Sequence, residues 1–286
     1  MSKTKIITDS GCDIPLDIAK KYSIDIVSLT VRFGKEEVVD TISLSADEFW
    51  KKCAETAAVS MPETAAPSPG NFVNAFEKAK ADGFDSVVCI TLSSKVSSTY
   101  ESALNALEVV GDSINVTVVD SLSVSIGEGL IAIDAAKAAQ NGEPLEKILE
   151  LTEFNVKNTI LMGTIDSLDS LKRTGRISAS EALVGSLLSI KPIVELRDGK
   201  VEPESRHRTR SKSLDYVIEK ATNINNIKLF SILNGAAKDF DTYKTKLLEK
   251  VNLPESVEII YADIGPIIGT HVGRGAVGFA CLKNPD

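Results

Sequence analysis

The stretch SVVCITLSSKVSSTYESALNAL (86–107) decides the fold. Residues 86–92 form an apolar, β-branched run with the length of a buried strand. Further on, Tyr100, Ala103, Leu104 and Leu107 fall at i, i+3, i+4 and i+7, the stripe of a helix that faces a core. The serine cluster at 93–98 is therefore a strand-to-helix loop, and strand, loop and helix make the unit of a parallel α/β sheet.

The same pattern extends outward from this unit. KIITD (5–9), IDIVSLT (24–30) and INVTVVD (114–120) read as further short buried strands. Ser45 with Glu48 has capping-box spacing, and Ser68-Pro69 sets a cap before a proline suited to a first helical turn, so helices start at both places. A helical stretch over about 125–155 leads to TILMGT (159–164), a second helical stretch through Leu188, and IKPIVEL (190–196). Asp198-Gly199 turns this last run into a partner strand at 200–204, a hairpin that fits a mixed sheet better than a uniform βαβ series. IKLFSIL (227–233), a helix near 237–250, VEIIYAD (257–263) and AVGFACL (276–282) complete the series. The expected fold is α/β and two-lobed: an N-terminal parallel α/β lobe over 1–157 and a C-terminal mixed α/β lobe over 158–286.

Bulk properties narrow the function. A chain of 286 residues with 43% hydrophobic and 25% charged residues is an ordinary globular sequence with a large core. Its formal charge of −8 repels a phosphate backbone, so nucleic acid is not an expected partner. The opening MSKTKIITD has too short an apolar run for a secretory signal. The most apolar stretch, 183–194, is broken by Gly185, Ser186, Ser189 and Lys191, so a cytoplasmic protein without a membrane span is expected. Cys12, Cys53, Cys89 and Cys281 form no C-x-x-C pair, so they read as idle thiols and no metal site is expected.

Three strand-to-helix loops are rich in hydroxyls and small residues: 8–11, 93–99 and 120–129. Hydroxyls and the free amides of a helix start can together hold a carboxylate or phosphate, whereas in any one loop the same residues also serve simply as caps. The segment GPIIGTHVGRGAVG (265–278) contains a literal G-x-G-x-x-G, but too few residues follow it for the acidic ribose contact of a dinucleotide site. Its glycines instead read as a tight loop approaching a ligand or another backbone, with His271 as a ligand contact, a proton carrier or a structural residue. Basic residues gather at Lys172, Arg173 and Arg176, and again at Arg206, His207, Arg208, Arg210 and Lys212. Each group reads as a solvated face or as a surface for an acidic partner or phosphate.

In order along the chain, TDSGCDIP (8–15), PETAAPSPGNF (62–72), ITLSSKVSSTYESA (90–103), VDSLSVSIGEG (119–129), LDSLKRTGRIS (168–178), IKPIVELRDGK (190–200) and GPIIGTHVGRGAVGF (265–279) resemble the DegV family. These are bacterial fatty-acid-binding proteins that include the acyl-carrying subunit of fatty acid kinase. The resemblance implies a long-chain fatty acid as ligand and no cofactor, with the acyl chain in the C-terminal lobe and the carboxylate near the lobe junction. On matched positions, Thr64 and Ser94 would contact the carboxylate, Ser93 would neighbour it and His271 would lie close by. Arg176 and Arg208 would serve kinase docking or phosphoryl transfer. Four positions depart from the family pattern: Ala65 and Ala66 replace Ser-Gln, Ser98 replaces a glycine, and Arg274 replaces a proline.

Tunnel-wall candidates are Leu183, Val184, Leu187, Leu188, Ile190 and Ile193, with plain core packing the alternative for each. The implied role is a carrier that takes a fatty acid from a membrane surface in transient contact and presents it to a separate kinase for acyl phosphate formation. The chain lacks the G-x-x-x-x-G-K-[ST] loop that would hold nucleotide phosphates itself. Two other classes stay open: a lipid-liganded regulatory or interaction protein without a kinase, and a hydrolase using Ser94 or Ser121 with His271, for which no G-x-S-x-G elbow is present.

Overall fold

The structure, a computed structural model, describes residues 3–40, 44–56, 61–177 and 190–285. The first half runs β1 (Thr4–Asp9), α1 (Leu16–Lys21), β2 (Asp25–Val27), β3 (Thr30–Phe33), β4 (Glu36–Val39), α2 (Ala46–Thr56), β5 (Glu63–Ala65), α3 (Pro69–Ala81), β6 (Ser86–Thr91), α4 (Thr99–Val110), β7 (Asn115–Asp120), α5 (Ser125–Gln140) and α6 (Leu145–Asn158). β2, β1, β6 and β7 form a four-stranded parallel sheet in that order. β1 and β6 lie at its centre and are buried at every position, which is why each carries a short apolar run, Ile6-Ile7 and Val87-Val88-Cys89-Ile90, with no polar alternation inside it.

The run 24–30, expected as one strand, is divided. Residues 25–27 pair with β1, whereas β3 turns away into a separate antiparallel sheet of order β4-β3-β5. At the break, the Leu29 amide donates to Ser10 Oγ at 3.0 Å, so a side chain replaces the next ladder bond. Both predicted caps form: the Ser45 amide donates to Glu48 Oε2 at 2.9 Å, and the Ser68 amide to Asn71 Oδ1 at 3.0 Å. The stripe of α4 that is fully buried is Thr99, Ala103, Ala106 and Val110, with Leu107 packed at its margin.

The second half runs β8 (Ile160–Thr164), α7 (Asp169–Arg173), β9 (Lys191–Arg197), β10 (Lys200–His207), α8 (Arg210–Thr222), β11 (Ile227–Asn234), α9 (Phe240–Lys250), β12 (Glu258–Asp263), α10 (Pro266–Val272) and β13 (Val277–Lys283). The six strands pair in the order β10-β9-β8-β13-β11-β12, and only β11 and β12 run parallel, so the sheet is mixed as expected. Asp198 and Gly199, with φ of 50° and 79°, make the left-handed turn of the β9–β10 hairpin. Of the helical stretch expected through Leu188, the described part is α7, and residues 178–189 fall outside the described segments. Two helices correct the sequence reading: α8 grows out of the second basic cluster, and within the glycine loop expected at 265–278, Pro266–Val272 form α10, while Gly273 and Gly275 make the turn after it at φ 77° and 93°.

α5 joins the two halves. Its residues from Ser125 to Ala136 are all buried, because it packs on β1 and β6 on one side and on β11 and β13 on the other. A helix apolar all round is what a position between two sheets requires. Its buried acids are fixed at both ends: Thr8 Oγ1 donates to Glu128 Oε1 at 2.7 Å, and Asn155 Nδ2 and Lys228 Nζ both reach Asp134 Oδ2 at 2.7 Å. The four strands of the parallel sheet precede residue 157 and the six of the mixed sheet follow it, while the main apolar core takes residues from both sheets. We propose the division at 157 as an organisational boundary.

β8 and β13 approach each other at facing glycines, Gly163 and Gly278. A Cβ on Gly278 would stand 2.3 Å from Met162 O and 2.7 Å from Gly163 Cα, both backbone atoms that cannot swing aside. Gly278→Ala is expected to lower stability by about 1–3 kcal/mol through overpacking, measured by denaturant unfolding. Gly70→Ala in the first turn of α3, where the nearest atom would be 3.7 Å away, is the control and should be neutral or slightly stabilising.

Candidate functional site

The mixed sheet has two unlike faces. Met162, Ile193, Phe230, Ile232, Val277, Phe279 and Cys281 pack densely under α8 and α9. Leu161, Gly163, Ile165, Leu233, Ala276 and Gly278 point the other way, and the small residues among them leave space. The result is an apolar cavity of ≈ 70 Å³ closed by Val124, Val194, Val201, Ile264, Ile268 and Val272. Val124, Val201, Ile268 and Val272 also line a second cavity of ≈ 350 Å³, so the two are neighbours with a shared wall.

The second cavity is polar at its rim. β5 contributes Thr64, with Ala65 and the following Ala66. The 93–98 loop contributes Val96, Ser97 and Ser98, α10 contributes His271, and Arg176 comes from the turn after α7. Thr64 and His271 are far apart in sequence but meet here, Thr64 Oγ1 lying 3.0 Å from His271 Nε2. Burial, helped by the nearby charges of Arg176 and Arg173, pulls the His271 pKa down to about 4, so the imidazole is neutral at pH 7. His271 Nδ1 is buried with no hydrogen-bond partner among the described residues. Arg176 is tied to the serine loop by its Nε, which donates to Val96 O at 3.3 Å. A neutral imidazole, a hydroxyl and a guanidinium at the edge of an apolar hole can hold a carboxylate whose hydrocarbon tail goes inward.

The other expected site residues lie elsewhere. Ser93 is buried and its hydroxyl donates to Gly199 O at 2.7 Å, tying the serine loop to the β9–β10 turn. The Ser94 amide donates to Asp120 Oδ1 at 3.1 Å, and neither Ser93 nor Ser94 lines the cavities, whereas Ser97 and Ser98 do. Ser121 is buried and donates to Ser123 O at 3.2 Å. Arg208 is exposed beyond the end of β10. Leu183, Val184, Leu187 and Leu188 fall outside the described residues. Ile190 is half-buried, and Ile193 packs in the dense core under α8, where its neighbour Val194 faces the cavity instead. That one-residue offset follows from strand alternation, and the alternation of Ala276 and Gly278 with Val277 and Phe279 was the signal that could have found the cavity face.

No group of three or more His, Cys, Asp or Glu side chains among the described residues is placed to hold a metal ion. Cys12, Cys89 and Cys281 are buried and Cys53 half-buried, and burial raises the pKa of each thiol, to about 11 for Cys53 and about 12 for Cys281. Among the described residues, no helix is long and apolar enough to cross a membrane.

A family model described as "Uncharacterised protein, DegV family" matches residues 3–284. The chain belongs to the DegV family. Among curated DegV relatives, a DegV domain-containing protein of Listeria innocua is 35% identical over 280 residues, covering 96% of this chain and 97% of the relative. A fatty-acid-binding DegV family protein from Thermus thermophilus superposes with a TM-score of 0.88 at 26% identity, over 99% of this chain and 100% of that one. A stearic-acid-binding protein from Eubacterium ventriosum gives 0.87 at 25% identity, over 99% and 98%. The DegV fold is thus shared along the whole length. Ala65, Ala66 and Ser98 line the rim of the larger cavity.

Proposed function

We propose that this protein binds a long-chain fatty acid with its tail in the apolar cavity and its carboxylate among Thr64, His271 and Arg176, and presents that carboxylate to a separate kinase for acyl phosphate formation. The observation that carries this reading is the junction of an apolar cavity with a rim where Thr64 meets a buried, neutral His271. Fatty-acid binding by the DegV family protein from Thermus thermophilus and stearic-acid binding by the protein from Eubacterium ventriosum support the ligand class. Ser93 and Ser94 then act by setting the loop that carries Ser97 and Ser98 to the rim. Arg176 and the exposed Arg208 provide positive charge for the kinase or for the growing charge of the transferred phosphoryl group. On this reading the protein works in the cytoplasm, touches a membrane surface transiently to load, and is an accessory subunit that leaves the chemistry to the kinase.

The test is transfer of fatty acid from vesicles to delipidated protein, followed by native mass spectrometry. One acyl chain per protein is expected, and protein that stays empty would refute the reading. Thr64→Val keeps the side-chain shape and removes the hydroxyl, so it is expected to weaken binding about tenfold, as befits one hydrogen bond to a charged group. His271→Ala should in addition lower the rate at which the partner kinase phosphorylates the bound acid.

A further inference from the structure

A pocket of ≈ 360 Å³ opens on the far side of the β8–β13 pair, where β8 and β11 end and β13 begins. It is lined by Asp166, Arg210, Lys238, Asp239, Arg274 and the 236–237 and 275 backbone. Its base is a set of short cross-ties. Gly235 N donates to Ala276 O and Gly275 N to Gly235 O, each at 2.7 Å, and Arg210 Nη2 donates to Gly275 O at 2.7 Å. Gly275, at φ 93°, leaves room for Asp166, whose Oδ2 would stand 2.7 Å from a Cβ there, and Ala236 is held at φ 54°. The backbone of the pocket is thereby fixed, as are Asp166, Asp239 and Arg210.

The charge count inside it is unequal. Asp239 is taken by Arg210, through Nε at 2.9 Å and Nη2 at 3.1 Å, and Asp166 is taken by Lys191 Nζ at 2.7 Å. Both carboxylates of the pocket are thereby neutralised. Lys238 and Arg274 form no ion pair with a described residue, so two positive charges face the same opening. Arg210 Nη1, of the same pocket, is buried without a hydrogen-bond partner among the described residues, 3.9 Å from Asp166 Oδ1. The unpartnered Arg210 nitrogen and the surplus positive charge both call for an acceptor-rich ligand with two negative charges.

We propose that this pocket binds a phosphate-class dianion, held by Lys238 and Arg274 above Arg210. The site is separate from the fatty-acid cavity and does not rest on the reading given above. Its ligand is free phosphate or the phosphate group of an ester, and the measurement separates these. The full chain would be titrated calorimetrically with inorganic phosphate and with phenyl phosphate at constant ionic strength. Saturable binding of inorganic phosphate identifies the free ion as sufficient, and binding of phenyl phosphate alone identifies an ester. In the Lys238→Ala/Arg274→Ala double variant, at two exposed positions, affinity should fall by at least about tenfold, the effect of one lost charge-assisted hydrogen bond. Fatty-acid retention by that variant should match the unaltered protein. No saturable binding of either compound, or equal binding by the double variant, would overturn the proposal.

Discussion

Val194→Trp should leave a folded protein that no longer retains fatty acid. Val194 is half-buried on β9 and lines the inner apolar cavity, so an indole in its place occupies the ≈ 70 Å³ beside it. Each buried methylene contributes about 0.8 kcal/mol, so shutting out about six of them costs roughly 5 kcal/mol and lowers affinity by roughly a thousandfold or more. The effect on stability is smaller, about 1–3 kcal/mol for overpacking. Titration with a fluorescent fatty acid gives the affinity, and near-ultraviolet circular dichroism verifies the fold. Unchanged affinity in a folded variant would show that the tail runs elsewhere. The contrast with Thr64→Val matters: a headgroup hydrogen bond is worth about tenfold and a blocked tail far more, so the two variants separate orientation from affinity.

The second large effect concerns pH. Asp9, Asp13 and Glu128 lie near the start of α5, and burial is the main cause that raises all three carboxyls: Asp9 from 3.8 to about 7 and Asp13 from 3.8 to about 8, each with a smaller push from Asp40, and Glu128 well above its usual range with added repulsion from Asp9 and Asp13. A carboxyl raised in this way holds its proton more tightly in the folded than in the unfolded chain. Its stabilising contribution is complete below the unfolded value and is lost as pH rises through the folded one. For Asp9 the interval from 3.8 to about 7 corresponds to about 4 kcal/mol. Denaturant unfolding should therefore show lower stability at pH 9 than at pH 5. Glu128→Gln keeps an oxygen for the Thr8 hydroxyl, now at 2.7 Å from Glu128 Oε1, and removes one titrating group, so it should flatten the alkaline part of the profile. Stability that increases toward pH 9, or a variant with the original slope, would contradict this origin.

The strands were legible in the sequence where both faces are buried: the apolar centres Ile6-Ile7 of β1 and Val87-Val88-Cys89-Ile90 of β6 are short runs bounded by polar residues, a pattern that a strand buried on both faces produces. The caps at Ser45 and Ser68 and the Asp198-Gly199 turn were legible because their chemistry is local. β4 was not, since its EEVV has no buried position and its pairing with β3 depends on a partner supplied by the turn. α8 was hidden by its charges, which drew attention to a surface while Leu214, Val217, Ile218 and Ala221 form its buried side. α10 was hidden by its glycines: Gly269 allows the close approach of Phe49 and Trp50, where a Cβ would stand 2.7 Å from the Phe49 ring. Within the site, the meeting of Thr64 and His271 is a tertiary fact without a local trace, and only the resemblance to DegV proteins brought the two together in advance.

The burial of α5 on both sides has a consequence for synthesis. When residue 157 has been made, one side of the helix can settle on β1 and β6, but the strands that cover its other side have yet to be translated. At about 5–20 residues per second, the stretch from there to the end of β13 at Lys283 takes roughly 6–25 s. Through that interval a nascent chain carries a bare apolar stripe, the kind of surface that makes a partly made chain prone to aggregate unless a chaperone covers it.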